Sequence, residues 1–337
     1  MKEDLRGFDN HGYPEGWFGI GWSSDFLDGQ PVQRRLFGED IVFYRGASGK
    51  LIAMGAYCPH QGAALAVGGK VEGDCIRCPF HGWAWDADGN NADVPYSARG
   101  RVGVRNKTWT VEEVADHVFI WNSWRDEGPR WEIPDIDFLQ DPQMFWNPVD
   151  STRTWLNARL VPQMVTENIV DFSHIKYVHL AESDSELEKF GAQDHVFSVV
   201  LRQVFRTRKG PVVGRDHIEA HGVGINIARM KFLNYEITNL LNVVPVDASH
   251  SEMRVTIGIK LPDDLDVPER ASDLPGHFQR AIKAHLDSQD QDMPIWENQI
   301  YRANVPWAPE EARAGRALRK WAHSLYESYD GKPEVTT

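Results

Sequence analysis

YCPHQGAALAVGGKVEGDCIRCPFHGWAWD, Tyr57 to Asp86, contains Cys58-x-His60 and, after 17 further residues, Cys78-x-x-His81. Each arm carries one thiolate and one imidazole. A Cys2His2 set is a familiar tetrahedral zinc site. Two matched arms equally suit a two-iron cluster in which two cysteines hold one iron and two histidines the other. The Cys-x-His arm is shorter than the usual zinc arm, which weighs toward the cluster. Pro59, Gly62, Pro79 and Gly82 are the residues that shape tight loops. Cys75 has no part in this pattern and reads as a bystander thiol.

The rest of the chain supplies a frame for that segment. Its 337 residues suffice for two ordinary domains. Hydrophobic residues make up 42% and charged residues 25%, as in a globular protein. A formal charge of −13 argues against a general nucleic-acid binder, which would present a basic face to phosphates. No long apolar run suggests a membrane span, and MKEDLRGFDN lacks the order of a secretory signal, so a cytoplasmic location is expected. Three cysteines within 21 residues make a poor disulfide framework and a better metal or redox cluster.

Short apolar runs separated by Gly, Ser, Asp and Lys, such as DIVFYRG (Asp40 to Gly46), LIAMGAY (Leu51 to Tyr57) and HVFIWN (His117 to Asn122), predict a small β domain up to Ser123. The proline-spaced, charged stretch Arg125 to Pro142 predicts an extended connection and divides the chain into residues 1–135 and 136–337. Beyond it, strands are predicted over Thr154–Leu160, Val196–Arg206, Gly222–Met230, Ile237–Val244 and Met253–Lys260. Helices are predicted over Glu167–Leu180, Leu274–Ile300 and Pro309–Glu327. Ser272 and Asp273 are placed to cap the second helix and Pro294 to kink or interrupt it. Sheet followed by long helices gives an α+β class.

A second constellation lies in TENIVDFSHIKYVHL, which carries Glu167, Asn168, Asp171, His174 and His179. On an unbroken helix His174 and His179 would stand about 140° apart around the axis. A local break would let both reach one ion; otherwise they are two histidines with ordinary hydrogen bonds.

Both constellations together resemble the Rieske non-haem iron oxygenases. The first arms match in CPHQGA (Cys58 to Ala63) and CPFHGW (Cys78 to Trp83), and Asn168-x-x-Asp171-x-x-His174-x4-His179 matches the mononuclear iron motif in every spacing. The resemblance implies an N-terminal all-β Rieske domain and a C-terminal helix-grip-like antiparallel sheet domain with long helices. It implies a two-iron two-sulfur cluster on Cys58, His60, Cys78 and His81, and one Fe(II) on His174, His179 and a late carboxylate. Asp292 in QDMPIWENQ fits that third place, with Trp296 and Glu297 following it as in the family; Asp287 and Asp290 are rivals. Two histidines and a carboxylate leave positions on Fe(II) open to oxygen. Asp171 resembles the carboxylate that links a cluster histidine of one subunit to an iron histidine of the next, within a head-to-tail homotrimer. Asn168 matches a position beside the iron.

The resemblance further implies a reaction with O2 that consumes two electrons. No dinucleotide fingerprint is present, so the electrons are expected from a separate NAD(P)H-dependent flavin and iron-sulfur reductase or a ferredoxin. Lys70, Arg77 and Arg99 near the cluster could meet an acidic partner. In length and in the segments YPEGWFGIGW, VPYS, WEIPDI and QDMPIW the chain resembles the oxygenase components of 3-ketosteroid 9α-hydroxylases, which implies a hydrophobic substrate, a steroid or other polycyclic compound. Val165, Ile169, Phe172, Val178, Phe232, Tyr235 and Leu241 are candidate pocket residues. Oxidative O-demethylation of a methoxylated aromatic is the alternative within enzymes. An electron carrier with a dead iron site is the alternative outside them.

Overall fold

The computed structural model of the protein describes residues 12–27, 29–179, 185–207, 210–232 and 235–326. Its N-terminal part is built from three small antiparallel sheets. One joins Gly16–Trp22, His117–Asn122 and Val111–Val114; a second joins Val32–Leu36, Glu39–Arg45, Leu51–Gly55 and Thr108–Trp109. The third joins Lys70–Glu72, Cys75–Arg77, Ala84–Trp85 and Asn91–Asp93, and carries the cysteine and histidine arms at its end. The runs DIVFYRG, LIAMGAY and HVFIWN all lie in strands, and Ile41, Val42, Phe43, Met54 and Phe119 are fully buried. Their continuous apolar text, rather than strict alternation, reflects strands covered on both faces.

The C-terminal part is one long antiparallel sheet. In spatial order its strands are Met144–Phe145, Ser251–Lys260, Tyr235–Pro245, Ile225–Phe232, Gly210–His221, Val196–Thr207 and Glu186–Gln193, with Thr152–Ala158 also pairing to Ser251–Lys260. Among the described residues four α-helices accompany it: α1 (Pro162–Glu167), α2 (His174–Tyr177), α3 (Gly276–Trp296) and α4 (Ala312–His323). On α3 the residues Phe278, Ile282 and Leu286 recur at intervals of four, and they pack on Ile237, Val255, Ile257 and Ile259 of the sheet. Three strands, Met144–Phe145, Glu186–Gln193 and Gly210–His221, have no counterpart in the sequence reading.

Several helix expectations are corrected. Glu167 to Leu180 is not one helix. A 3-10 turn over Asn168–Val170 follows α1, and Asp171 leaves helical geometry at φ −88° and ψ 82° before α2 begins; Leu180 lies outside the described residues. Ser272 and Asp273 sit in a separate 3-10 turn, and Pro275 stands at the N-terminus of α3 with no side-chain cap. Pro294 does not interrupt α3, which runs on to Trp296. The last helix is shorter than expected, Ala312 to His323.

The connecting stretch is extended but not loose. Ile136 and Leu139 join Trp17, Phe119 and Trp121 of the first sheet and Ile225, Ile227 and Leu240 of the large sheet in one buried cluster. The indole of Trp17 donates to the carbonyl of Trp131 at 2.8 Å, and Trp22 stacks on Trp146 with ring centroids 5.4 Å apart. The linker residues thus form part of the wall between the two halves. Among the described residues, no helix is long and apolar enough to cross a membrane.

Candidate functional site

The two cysteine and histidine arms are copies of one loop. In the first, Cys58 N–H donates to the Ala63 carbonyl and Gly62 N–H to the Cys58 carbonyl, both at 2.9 Å. In the second, Cys78 N–H donates to the Trp83 carbonyl at 2.8 Å and Gly82 N–H to the Cys78 carbonyl at 3.1 Å. Gly62 and Gly82 take φ +72° and +75°, the left-handed region that admits glycine without strain. Cys58 and Cys78 are buried, and the His60 and His81 rings face each other 4.8 Å apart. His60 lies flat on Trp83, with centroids 4.3 Å apart and planes 5° apart, and His81 Nδ1 is buried with no hydrogen-bond partner among the described residues. Two thiols, two imidazoles and an unpaired ring nitrogen fit a cluster held by two cysteines and two histidines. Burial pushes the Cys58 thiol above its ordinary range, which leaves the thiolate in need of a cation.

Cys75 stands apart on its strand, partly exposed, and burial with nearby Asp86 and Asp74 pushes its thiol up. Arg77 is not available to a partner as expected. It donates to Glu72 at 2.8 Å, to Asp93 at 3.0 Å and to the Gly82 carbonyl, and so braces the second loop. Lys70 and Arg99 are exposed.

The break after α1 produces the second site. The chain turns at Asp171 to Ser173 and re-enters helix at His174, which brings the His174 and His179 rings to 5.1 Å at 75°. Helix α3 presents His285, Ser288, Gln289, Asp292 and Trp296 on one face at the spacing of a helical stripe. Donor atoms of His174, His179 and Asp292 lie within 4.8 Å of one another, with His179 Nε2 3.6 Å from Asp292 Oδ1. Asp292 is 4% exposed; burial pushes its carboxyl up against the opposing pull of both histidines. The rival carboxylates turn outward, Asp287 to Lys283 and Asp290 to Arg153.

Neighbours fix these rings. His179 Nδ1 meets Gln291 Oε1 at 2.9 Å, and Asn168 Nδ2 lies 3.3 Å from His174 Nε2. His174 Nδ1 meets the backbone carbonyl of Asp171, while Asp171 Oδ1 accepts from Ser173 N, Ser173 Oγ and His174 N. Burial opposes protonation of His174, yet the hydrogen bond and charge of Asp171 raise its pKa overall. The 3-10 turn is anchored from behind: Glu167 forms a two-pronged pair with Arg319 of α4 at 3.0 and 2.8 Å.

A cavity of about 470 Å³ opens on the triad between α3 and the large sheet. Val165, Ile169, Phe232, Tyr235 and Leu241 line it as the sequence suggested; Phe172 and Val178 do not. Its walls are mainly aliphatic, with Leu201, Ile218, Met230, Ile237 and Val255 among them. Sequence reading missed the polar members Gln203, Asp216, Asn226, Asn239 and Gln289. Alternation places the first four on the inner sheet face, but Gln203 and Asp216 sit in or beside a strand that polar text concealed. The cavity is of a size and character suited to a hydrophobic small molecule.

Comparison with known proteins agrees with this arrangement. Residues 16–114 match the family model of the Rieske [2Fe-2S] domain, and residues 120–326 match that of the 3-ketosteroid 9alpha-hydroxylase C-terminal domain. A 3-ketosteroid-9-alpha-monooxygenase oxygenase component from Rhodococcus rhodochrous is 37% identical over 352 residues, with 96% of this chain and 87% of that protein covered. A cholesterol 7-desaturase from Ciona intestinalis is 34% identical over 207 residues, covering 61% of this chain but 43% of that protein. The crystal structure of dicamba monooxygenase bound to 3,6-dichlorosalicylic acid superposes with a TM-score of 0.69 at 16% identity, covering 92% of this chain and 98% of that one, a likeness of fold. Two contiguous family matches and a full-length relative lead to one conclusion: this chain belongs to the Rieske non-haem iron oxygenases, enzymes whose cofactors are a two-iron two-sulfur cluster and a mononuclear iron.

Proposed function

We propose that the protein is the oxygenase component of a monooxygenase that hydroxylates a hydrophobic polycyclic compound, a steroid in the first instance. The observation that carries this reading is the aliphatic cavity that opens directly on His174, His179 and Asp292. In this reading Cys58 and Cys78 would hold one cluster iron, His60 and His81 the other, and His174, His179 and Asp292 would hold the catalytic iron. When bound, that iron activates O2 with electrons that the cluster relays from a separate NAD(P)H-dependent reductase or ferredoxin.

The chain's own side chains do the positioning. Gln291 sets the tautomer and orientation of His179, and the Asp171 carbonyl does the same for His174, so that Nε2 of each ring is left for the metal. Asn168 Nδ2 lies 3.3 Å from that nitrogen of His174, a contact that a bound metal would replace. The aliphatic walls exclude water from the reacting carbon. Asp171 keeps a carboxylate that is 43% exposed on the outside of the site. That exposure supports its role as a bridge to a neighbouring subunit in a homotrimer, where a carboxylate would join an iron histidine to a cluster histidine. The same reading keeps two domains, 1–135 and 136–337: the last strand of the N-terminal sheets ends at Asn122, and the first strand of the large sheet begins at Met144.

The test is oxygen uptake by the metal-loaded protein with a surrogate reductase, using labelled O2 and a panel of steroids and methoxylated aromatics. Transfer of one labelled oxygen atom into a steroid is the expected outcome. Formaldehyde release from a methoxylated aromatic, with no coupled steroid product, would replace this reading with O-demethylation.

A further inference from the structure

Helix α3 lays one face along the cavity, and that face carries a histidine that the metal site does not use. His285 lines the cavity seven residues before Asp292, two turns or about 10 Å along the helix. Its Nδ1 meets the Ala281 carbonyl at 2.9 Å. A carbonyl oxygen only accepts, so Nδ1 carries the proton and the neutral ring keeps a bare lone pair on Nε2. That nitrogen takes no hydrogen bond among those of the described residues. Nor is it one of the enclosed polar atoms that lack a partner, and the residue is only half-buried, so Nε2 stands open to the cavity.

The fixed tautomer makes this ring a one-way reader. Burial pushes its pKa below the ordinary histidine value, which keeps it neutral at pH 7. Ser288 fastens the same turn, its Oγ donating to the His285 carbonyl at 2.7 Å. Much of the lining is aliphatic, with Ala281 and Ala284 on the same helix and Ile237, Leu241 and Val255 on the sheet. When a hydrophobic ligand displaces water from that space, an acceptor left without a donor costs free energy unless the ligand brings an O–H of its own. Gln289, one turn nearer Asp292, also lines the cavity, but an amide can turn either its N–H or its carbonyl to a ligand and so adapts to both. His285 cannot adapt: its lone pair attracts an O–H and repels a carbonyl oxygen.

We propose that His285 is a specificity-determining residue that selects the substrate by a hydroxyl group: its Nε2 accepts the hydrogen bond of an O–H carried on the part of the ligand about two helical turns from Asp292, and it discriminates against the corresponding ketone. The ligand class is a hydrophobic alcohol. The inference rests on the reading of the cavity as the substrate site and adds to it the group by which the far end of the ligand is recognised. His285 touches neither the metal ligands' hydrogen-bond partners nor the reacting carbon in this arrangement, so its effect falls on which compound is bound rather than on the chemical step.

The experiment is equilibrium dialysis of the metal-loaded protein at about pH 7.5 against androstanol, androstanone and androstane, saturated steroids that differ at one carbon alone. Iron and cluster content are measured on the same samples. The wild type is expected to bind the alcohol about tenfold more tightly than the ketone, the scale of one hydrogen bond in an apolar site. His285→Phe removes the lone pair at similar volume and should bring alcohol and ketone within about twofold while leaving the affinity for androstane unreduced. His285→Gln, whose Oε1 can stand where Nε2 stood, should keep an alcohol preference of about threefold or more. A wild type without an alcohol preference overturns the inference, and this ratio decides even where a variant fails to load its metals. A preference that survives in His285→Phe, or that His285→Gln loses as completely as His285→Phe at full cofactor content, overturns it as well. Labelled oxygen found in any of the three steroids leaves the proposed function standing whatever the ratio. A wild type that neither binds nor hydroxylates any of them removes both.

Discussion

The two regions proposed to bind metal are assembled in opposite ways. The cluster arms lie within Cys58 to His81 and repeat one loop, each closed by its own backbone hydrogen bonds and a left-handed glycine. The proposed triad joins a broken helix to Asp292 on α3, far along the chain, and is held by Gln291 on His179 and by Arg319 on Glu167, just before the break. A locally closed loop positions its side chains through bonds within the loop itself. A composite site exists only when α3 docks in register, so the same kind of substitution should act locally in the first and cooperatively in the second.

The largest test of that contrast is Asp292→Ala. It should abolish substrate hydroxylation and bound mononuclear iron, a loss beyond the roughly hundredfold that an outer hydrogen-bond partner controls. Cluster content, read by iron and sulfide analysis and visible absorption, should stay at wild-type level. Loss of cluster in the same variant would show that the two regions are not independent.

The next contrast concerns pH, because His117 in one half and Asp216 in the other are buried groups that resist charging in opposite pH ranges. In the N-terminal half His117 packs against Trp22 and Trp146, and burial lowers its pKa to about 4. A depressed histidine contributes stability above its unfolded value near 6.5 that is lost as pH falls toward 4. Asp216 in the C-terminal half has its pKa raised, so its contribution is present below about 4 and is lost as pH rises to about 7. The ceiling is about 3 kcal/mol for His117 and about 4 kcal/mol for Asp216. Asp216→Asn should therefore stabilise the unliganded protein at pH 7 to 8 but not at pH 4, whereas His117→Gln should flatten the acid side alone. Denaturant melts of both variants across this range check the signs; an Asp216→Asn gain that does not change with pH would refute the buried-acid account.

A smaller effect separates ligand from support within the composite site. Gln291→Leu leaves all three ligands in place but removes the partner of His179 Nδ1. Iron affinity should fall about ten- to a hundredfold, with hydroxylation restored by excess Fe(II). Failure of excess iron to restore activity would give Gln291 a role beyond orienting the ring.

How much of this was legible in the sequence follows the same division. Cys58, His60, Cys78 and His81 could be read directly, since their spacing and the Pro and Gly residues around them encode the whole loop. The convergence of His174 and His179 could be read only as a condition, that the helix break; the break is Asp171, whose carboxylate collects Ser173 and His174 N–H groups and so stabilises the turn. Gln291 and Asp216 were not legible. Gln291 is one polar residue among several on α3, and its role depends on the turn of a helix against a distant loop. Asp216 lies in GPVVGRDHIEAH, where Arg215, Asp216 and His217 disguise a strand whose inner face carries a single carboxyl. The text between Arg125 and Pro142 suggested an extended connection and no more, because proline and charge do not reveal that Ile136 and Leu139 close a core between the halves.

The finest test asks whether the two cluster loops are equal copies. Gly62 and Gly82 share left-handed backbones, so alanine at either position carries the strain of placing a Cβ there, about 1–2 kcal/mol. Their surroundings differ. A Cβ on Gly62 meets nothing within 4 Å among the described residues, whereas one on Gly82 would stand 3.0 Å from Pro95 Cγ, on a ring with little freedom to move. Gly82→Ala should accordingly lower the unfolding midpoint more than Gly62→Ala and release the cluster earlier on heating, as followed by the loss of visible absorption. The Arg77 brace adds to this asymmetry, since it holds the Gly82 carbonyl and has no equivalent at the first loop among the hydrogen bonds of the described residues. Equal losses from the two alanine variants would mean that backbone strain alone governs both loops and that the packing of Pro95 and Arg77 on the second adds nothing.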